Sequence, residues 1–165
     1  VRVLLVRHAT AVERGTAGLA DDDRPLTPRG RRRFARAAAG LARLLPRPGK
    51  LLTSPLPRAA QTAELLSRAF RGPKAEALPA LAGGDQRGIE NALRVAPPGF
   101  LVVLVGHEPH LSSLLAAALG ANAAAVPFKK GGAALVELPA ARFEDGRLLA
   151  LLPPRLARRA ARARR

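Results

Sequence analysis

The chain contains no cysteine, methionine, tryptophan or tyrosine, and its only aromatic residues are five phenylalanines. Without cysteine, disulfides and thiolate metal sites are excluded. Without Trp or Tyr the chain offers no stacking platform for bases, which argues against single-stranded nucleic acid as a partner. Acids are scarce: 12 Asp+Glu stand against 28 Lys+Arg, a formal charge of +16. Such a field attracts phosphates and acidic protein faces. Arginines scattered through an Ala/Arg/Pro/Gly-rich composition would give the same total with no partner at all. No run approaches ~18 apolar residues, so no transmembrane helix is expected. Nothing near Val1 reads as a signal peptide, and a soluble cytoplasmic protein is the expectation.

What is present suffices for one domain. The 165 residues can bury a core of Leu, Val, Ala and Phe. Val1–Val6 reads as a first strand. Residues 7–27 read as a polar loop with Asp21-Asp22-Asp23 near its end. Thr27-Pro28 is an N-cap followed by Pro at the first helical position. Phe34, Ala37, Ala38, Leu41, Leu44 and Leu45 then recur at helical spacing, up to Pro46. A short strand is expected at 50–53, a helix at 58–70, a strand at 74–78 and a helix at 85–96. Residues 99–105 are apolar throughout, the pattern of a central parallel strand covered on both faces. A helix follows at 109–119, and strands at 133–138 and 147–151 form a hairpin at a sheet edge. This alternation predicts a three-layer α/β/α sandwich with a mainly parallel sheet. The domain is assigned to residues 1–152. Residues 153–165 form a basic C-terminal tail with six Arg among the last eleven residues, expected as a short exposed helix or a disordered segment.

Two of the three histidines, His8 and His107, directly follow apolar strand-like runs, as does Ser54. In open α/β sheets ligands bind beyond the carboxyl ends of the strands. Arg7 adjoins His8, and Arg58 stands at a helix start, where free N–H groups and the helix dipole favour an anion. Two Arg, two His and a helix N-terminus make a phosphate cradle. As single residues, His8 and His107 could be packing histidines and Arg58 a solvated one. His110 reads as a structural or rim residue, Gly131-Gly132 as a turn, and a His107–His110 metal pair lacks supporting carboxylates.

Five segments in order carry a resemblance. They are Arg7-His8-Ala9, Arg24-Pro25-Leu26-Thr27-Pro28-Arg29-Gly30, the run Ser54-Pro55-Leu56-Pro57-Arg58-Ala59-Ala60-Gln61-Thr62-Ala63, Gly106-His107-Glu108-Pro109, and Lys129-Lys130-Gly131-Gly132. Together they resemble the histidine phosphatase superfamily, with its phosphoglycerate-mutase-like fold, and most closely its SixA-type phosphohistidine phosphatases. The resemblance implies His8 as nucleophile, forming a phosphohistidine that water later hydrolyses. It implies Arg7 and Arg58 as ligands of the phosphoryl oxygens and His107 as both phosphate ligand and transition-state donor, with no metal or cofactor. Ala9, Ala11 and Arg14 replace the extra phosphate ligands of the mutases, which argues against a mutase. The proton donor is open among Glu13, Asp21, Asp23, Asp85 and Glu90. Asp21 is favoured because it precedes the Arg-Pro-Leu-Thr stretch in the loop leaving the first strand. A weakly defined acid suits P–N cleavage better than P–O cleavage, since an alkoxide needs its proton more than an imidazole does.

The expected function is therefore a phosphatase acting on phosphohistidine of a protein, such as a histidine-phosphotransfer domain, within signal transduction. A small-molecule phosphomonoesterase acting on a sugar phosphate or nucleotide is the alternative within the family. A catalytically degenerate module binding an acidic partner is the alternative of another class.

Overall fold

Residues 101–106 are buried at every position, and the whole sheet is arranged around them. In the computed structural model, which describes residues 1–96, 99–123 and 126–162, this strand is flanked on both sides by parallel neighbours. In chain order the elements are β1 (Arg2–Arg7), α1 (Pro28–Leu44), β2 (Pro48–Thr53), α2 (Pro57–Phe70), β3 (Glu76–Ala77), α3 (Ala80–Gly83), α4 (Gln86–Arg94), β4 (Leu101–Gly106), α5 (His110–Leu119), β5 (Ala133–Glu137), β6 (Arg147–Leu152) and α6 (Pro154–Ala160). The sheet order is β3-β2-β4-β1-β5-β6. The first four strands in that order are mutually parallel, while β5 runs antiparallel to both β1 and β6. The expected mainly parallel sheet is present, with the hairpin at its edge.

Side-chain alternation along the strands divides the core in two. Leu4, Val6, Leu51, Val103 and Val105 point to one face, where Phe34, Ala37, Ala38 and Leu41 of α1 and Ala59, Ala63 and Leu66 of α2 meet them. Val3, Leu5, Leu52, Val102 and Leu104 point to the other, against Leu81, Ile89, Leu93, Leu111 and Leu115. Helices on both faces of one sheet make the three-layer sandwich. The start of α1 follows the sequence signal: Thr27 Oγ1 accepts from Gly30 N at 2.9 Å, with Pro28 in the first turn. No helix among the described residues is long and apolar enough to cross a membrane.

Several elements depart from expectation. The strand expected at 74–78 pairs over two residues only, and the single turn α3 carried no sequence signal. The basic segment after residue 153 is not a free appendage as far as Arg162. Its helix α6 packs on α1, and Ala157 joins the core at 1% exposure. The receiving position is Gly40: a Cβ there would collide with the backbone carbonyl of Ala157. The close approach therefore depends on glycine. The last three residues of the expected tail lie outside the described residues.

Candidate active site

The three central strands end together, and their ladder hydrogen bonds continue into the segments beyond. His8 N donates to Gly106 O at 3.0 Å, Ser54 N to Val105 O at 2.9 Å, and Arg7 N to Gly132 O at 3.0 Å. Backbone pairing thereby fixes His8, Ser54 and the approach to His107 at one edge of the sheet. Gly131 closes the ring from the β5 side: its φ is +75°, and its N–H is shared between the carbonyls of Arg7 and His8. That left-handed conformation favours glycine.

His8 and His107 meet with ring centroids 5.1 Å apart, and each is only 6% exposed. His8 Nδ1 lies 2.7 Å from the carbonyl of Ala9. A carbonyl only accepts, so Nδ1 carries the proton and Nε2 keeps its lone pair. His107 Nε2 lies 2.8 Å from Ser54 Oγ. Burial pushes the His8 pKa down to about 4, the Ala9 carbonyl partly opposes this, and Arg58, Arg7 and Lys130 lower it further. Burial likewise takes His107 down to about 3, helped by His8 and Arg58. Both imidazoles are neutral at pH 7, as a nitrogen nucleophile must be.

Arg58 sits in the first turn of α2 and is 5% exposed. Its guanidinium donates to Asp21 O at 2.8 Å and stands 3.9 Å from the Asp21 carboxylate. Arg7 donates from Nη1 to the carbonyl of Phe128 at 2.5 Å. Burial lowers the pKa of both arginines. Among the described residues, the buried side-chain nitrogens without a partner in the protein are Arg7 Nε, Arg58 Nε and His107 Nδ1. All three belong to this cluster. Buried polar groups are otherwise almost always paired, so an unpaired, largely cationic set around His8 is one that an anionic ligand would complete.

Residues 58–62 and their surroundings show why this spacing recurs as a unit. Thr62 Oγ1 donates to Arg58 O at 2.7 Å and accepts from Ala9 N at 3.0 Å, tying the first turns of α2 to the backbone next to His8. Gln61 Oε1 accepts from Leu26 N at 2.8 Å and anchors the loop before α1. Two positioning groups escaped sequence reasoning. The position of Ser54 at a strand end carries no local sign of its contact to His107. Glu108 has no role in the sequence beyond its place beside His107, yet its carboxylate accepts from Phe128 N at 3.1 Å and so holds the segment whose carbonyl receives Arg7.

The candidate acids separate by their partners. Asp85 caps α4, accepting from Gly88 N at 3.1 Å. Glu90 accepts from Phe143 N at 2.9 Å and from Gln86, and so pins the segment before β6. Glu13 and Asp23 are exposed. Asp21 is near Arg58, but Arg14 and Arg24 bond its carboxylate at 2.8 and 2.9 Å. The Arg14 hydrogen bond is the largest influence on its pKa, and the net shift is downward. That favours the carboxylate over the protonated form a general acid needs. His110 opens α5, and its ring packs against Gly84 while acting electrostatically on His107; among the described residues no cluster of three His, Cys, Asp or Glu is placed to hold a metal.

A family model described as the histidine phosphatase superfamily (branch 1) matches residues 3–90. An uncharacterized protein of Picosynechococcus sp. is 37% identical over 157 residues, covering 90% of this chain and 94% of its own. The proposed phosphohistidine phosphatase SixA of Agrobacterium tumefaciens superposes with a TM-score of 0.75 at 28% identity, covering 93% of this chain and 97% of that one. The protein histidine phosphatase SixA complexed with tungstate superposes with a TM-score of 0.78 at 25% identity, with the same two coverages, 93% and 97%.

Proposed function

Because the chain belongs to the histidine phosphatase superfamily, we propose that it is a phosphatase that hydrolyses phosphohistidine on a protein through a phosphorylated His8. The observation that carries this reading is the set of unpaired buried nitrogens of Arg7, Arg58 and His107 in the surroundings of a neutral His8. The likeness to SixA structures, one of them holding the tetrahedral oxyanion tungstate, supports the same substrate class.

In the proposed reaction His8 Nε2 attacks phosphorus while the Ala9 carbonyl keeps the proton on Nδ1. A new N–P bond forms and the substrate's P–N bond breaks; the substrate imidazole, protonated beforehand on its other ring nitrogen, leaves as the neutral base. Arg7 and Arg58 bind the nonbridging oxygens, and His107 donates to one of them as charge builds. Fixed donors of this kind act where charge develops and need no reorganisation. Water then attacks the phospho-His8, releasing phosphate and restoring the neutral imidazole. The charges acting most strongly on His8 are all cations, Arg58, Arg7 and Lys130. Imidazole departure suits that arrangement better than alkoxide departure. The route uses no metal or cofactor. Asp21 serves here as a positioning residue for Arg58.

The test is an alkali-quenched reaction with a phosphohistidine-bearing protein labelled in its phosphoryl group. Label should appear on the wild-type chain as alkali-stable, acid-labile phosphohistidine, and His8→Ala should show none. The value of kcat/KM should exceed that for sugar phosphates and nucleotides. A preference for the esters, or label surviving in His8→Ala, would overturn the assignment.

A further inference from the structure

A groove of about 970 Å³ lies between α1 and α6, apart from the four-residue cradle. Arg33 and Arg36 line one wall; Arg155, Arg158, Arg159 and Arg162 line the other. All six are exposed except Arg158, which is half-buried. Among the described residues none of the six is ion-paired with an acid. Packing α6 onto α1 through Gly40 and Ala157 therefore brings like charges together without neutralising them. The cost is visible at Arg158: burial lowers its pKa, and Arg33, Arg155 and Arg162 lower it further.

The groove is connected to the chemistry. A second cleft of about 290 Å³ shares Arg33, Arg155 and Arg158 with it and extends to Ala9, Thr10 and Lys130. Ala9 follows His8, and Lys130 acts electrostatically on the His8 ring. A chain lying in the groove would enter the active site from the α1 side.

We propose that this arginine groove is a docking site for an acidic segment of the phosphorylated protein, a deepening that rests on the phosphohistidine-phosphatase reading above. Guanidinium forks pair carboxylates in bidentate fashion, which a set of lysines would not do. Several carboxylates fit the volume, and each relieves repulsion as well as adding attraction. Nucleic acid fits less well. Apart from arginine the groove is lined by Leu156 alone, with no aromatic ring to stack on a base.

The probes are two phosphohistidine peptides with the same reactive residue, one flanked by six glutamates and one by six glutamines. The full-length wild type should turn over the glutamate peptide with kcat/KM about tenfold higher, through KM, as expected for a few exposed ion pairs acting together. In the triple variant Arg155→Gln/Arg159→Gln/Arg162→Gln the gap should close, with turnover of the glutamine peptide unchanged. Arg33→Gln/Arg36→Gln should act alike from the opposite wall. The unphosphorylated glutamate peptide, followed by fluorescence anisotropy, should bind the wild type in a salt-dependent way and bind the triple variant about tenfold more weakly. Equal turnover of both peptides by the wild type, a preference that survives in the variants, or tighter binding of an RNA oligomer of equal charge would overturn the proposal. Binding of the glutamate peptide with no turnover of either would sink the phosphatase reading while leaving the acidic specificity of the groove intact.

Discussion

The Nδ1 proton of His8 has a fixed acceptor in the Ala9 carbonyl, and that bond decides which nitrogen can attack. The same burial that keeps His8 and His107 neutral links them to stability. Their folded pKa values of about 4 and about 3 lie below the ordinary value of 6.5. The unfolded chain therefore binds more protons below pH ~6.5, and stability falls as pH drops toward the folded values. The loss approaches about 1.4 kcal/mol per pH unit for each histidine. Urea unfolding at pH 7 and pH 5 should show this, and His8→Asn should remove about half of the slope; an unchanged slope would refute the linkage. Asp21 holds Arg58 through its backbone carbonyl at 2.8 Å, which Asn retains, while its carboxylate stands 3.9 Å away, so Asp21→Asn should lower kcat/KM by no more than about fivefold, the scale of one exposed ion pair. The loss should not depend on the leaving group. A general acid would instead cost ~10²–10⁴-fold and more for poor leaving groups. Arg7, His8, Arg58 and His107 were legible because each occupies a strand end or helix start with a distinctive neighbour. The role of Asp21 was not, because its partner Arg58 is 37 positions away and only the folded loop joins them.

Among the elements, legibility followed length and periodicity. The four central strands and helices α1, α2 and α5 carry apolar patterns long enough to read, whereas β3 spans two residues and α3 four. The docking of α6 was illegible for a different reason. Its arginines dominate the pattern, its single buried contact is Ala157, and the matching feature is a glycine in a helix over a hundred positions earlier. Gly40→Val tests that contact. The added side chain cannot fit against the Ala157 carbonyl, so α6 must shift or leave. Destabilisation of about 1–3 kcal/mol is expected, the range for overpacking a close contact. Hydrogen exchange should show protection lost in α6 and retained in β1 and β4. Deletion of residues 154–165 should destabilise comparably, and unchanged stability in either variant would show that α6 contributes nothing to the core.

For the whole molecule, the sheet order could not be read from the sequence, since nothing local says that β4 inserts between β1 and β2. Yet that insertion brings His107 beside His8, while the charge legible from composition gathers at the α1–α6 groove. A formal charge of +16 on 165 residues is a self-repulsion that opposes the compact state. Added sodium chloride should therefore raise Tm by screening it. Sulfate should do more at equal ionic strength, because a tetrahedral dianion also binds the folded arginines and the cradle but not the dispersed charges of the unfolded chain. The two contributions can be separated. Arg155→Gln/Arg159→Gln/Arg162→Gln removes part of the repulsion and should flatten the chloride dependence. Arg58→Ala should leave the chloride dependence nearly intact and remove much of the extra sulfate effect. If chloride and sulfate stabilise the wild type equally at matched ionic strength, the charge acts only as a diffuse field, and neither cradle nor groove holds an oxyanion in the free protein.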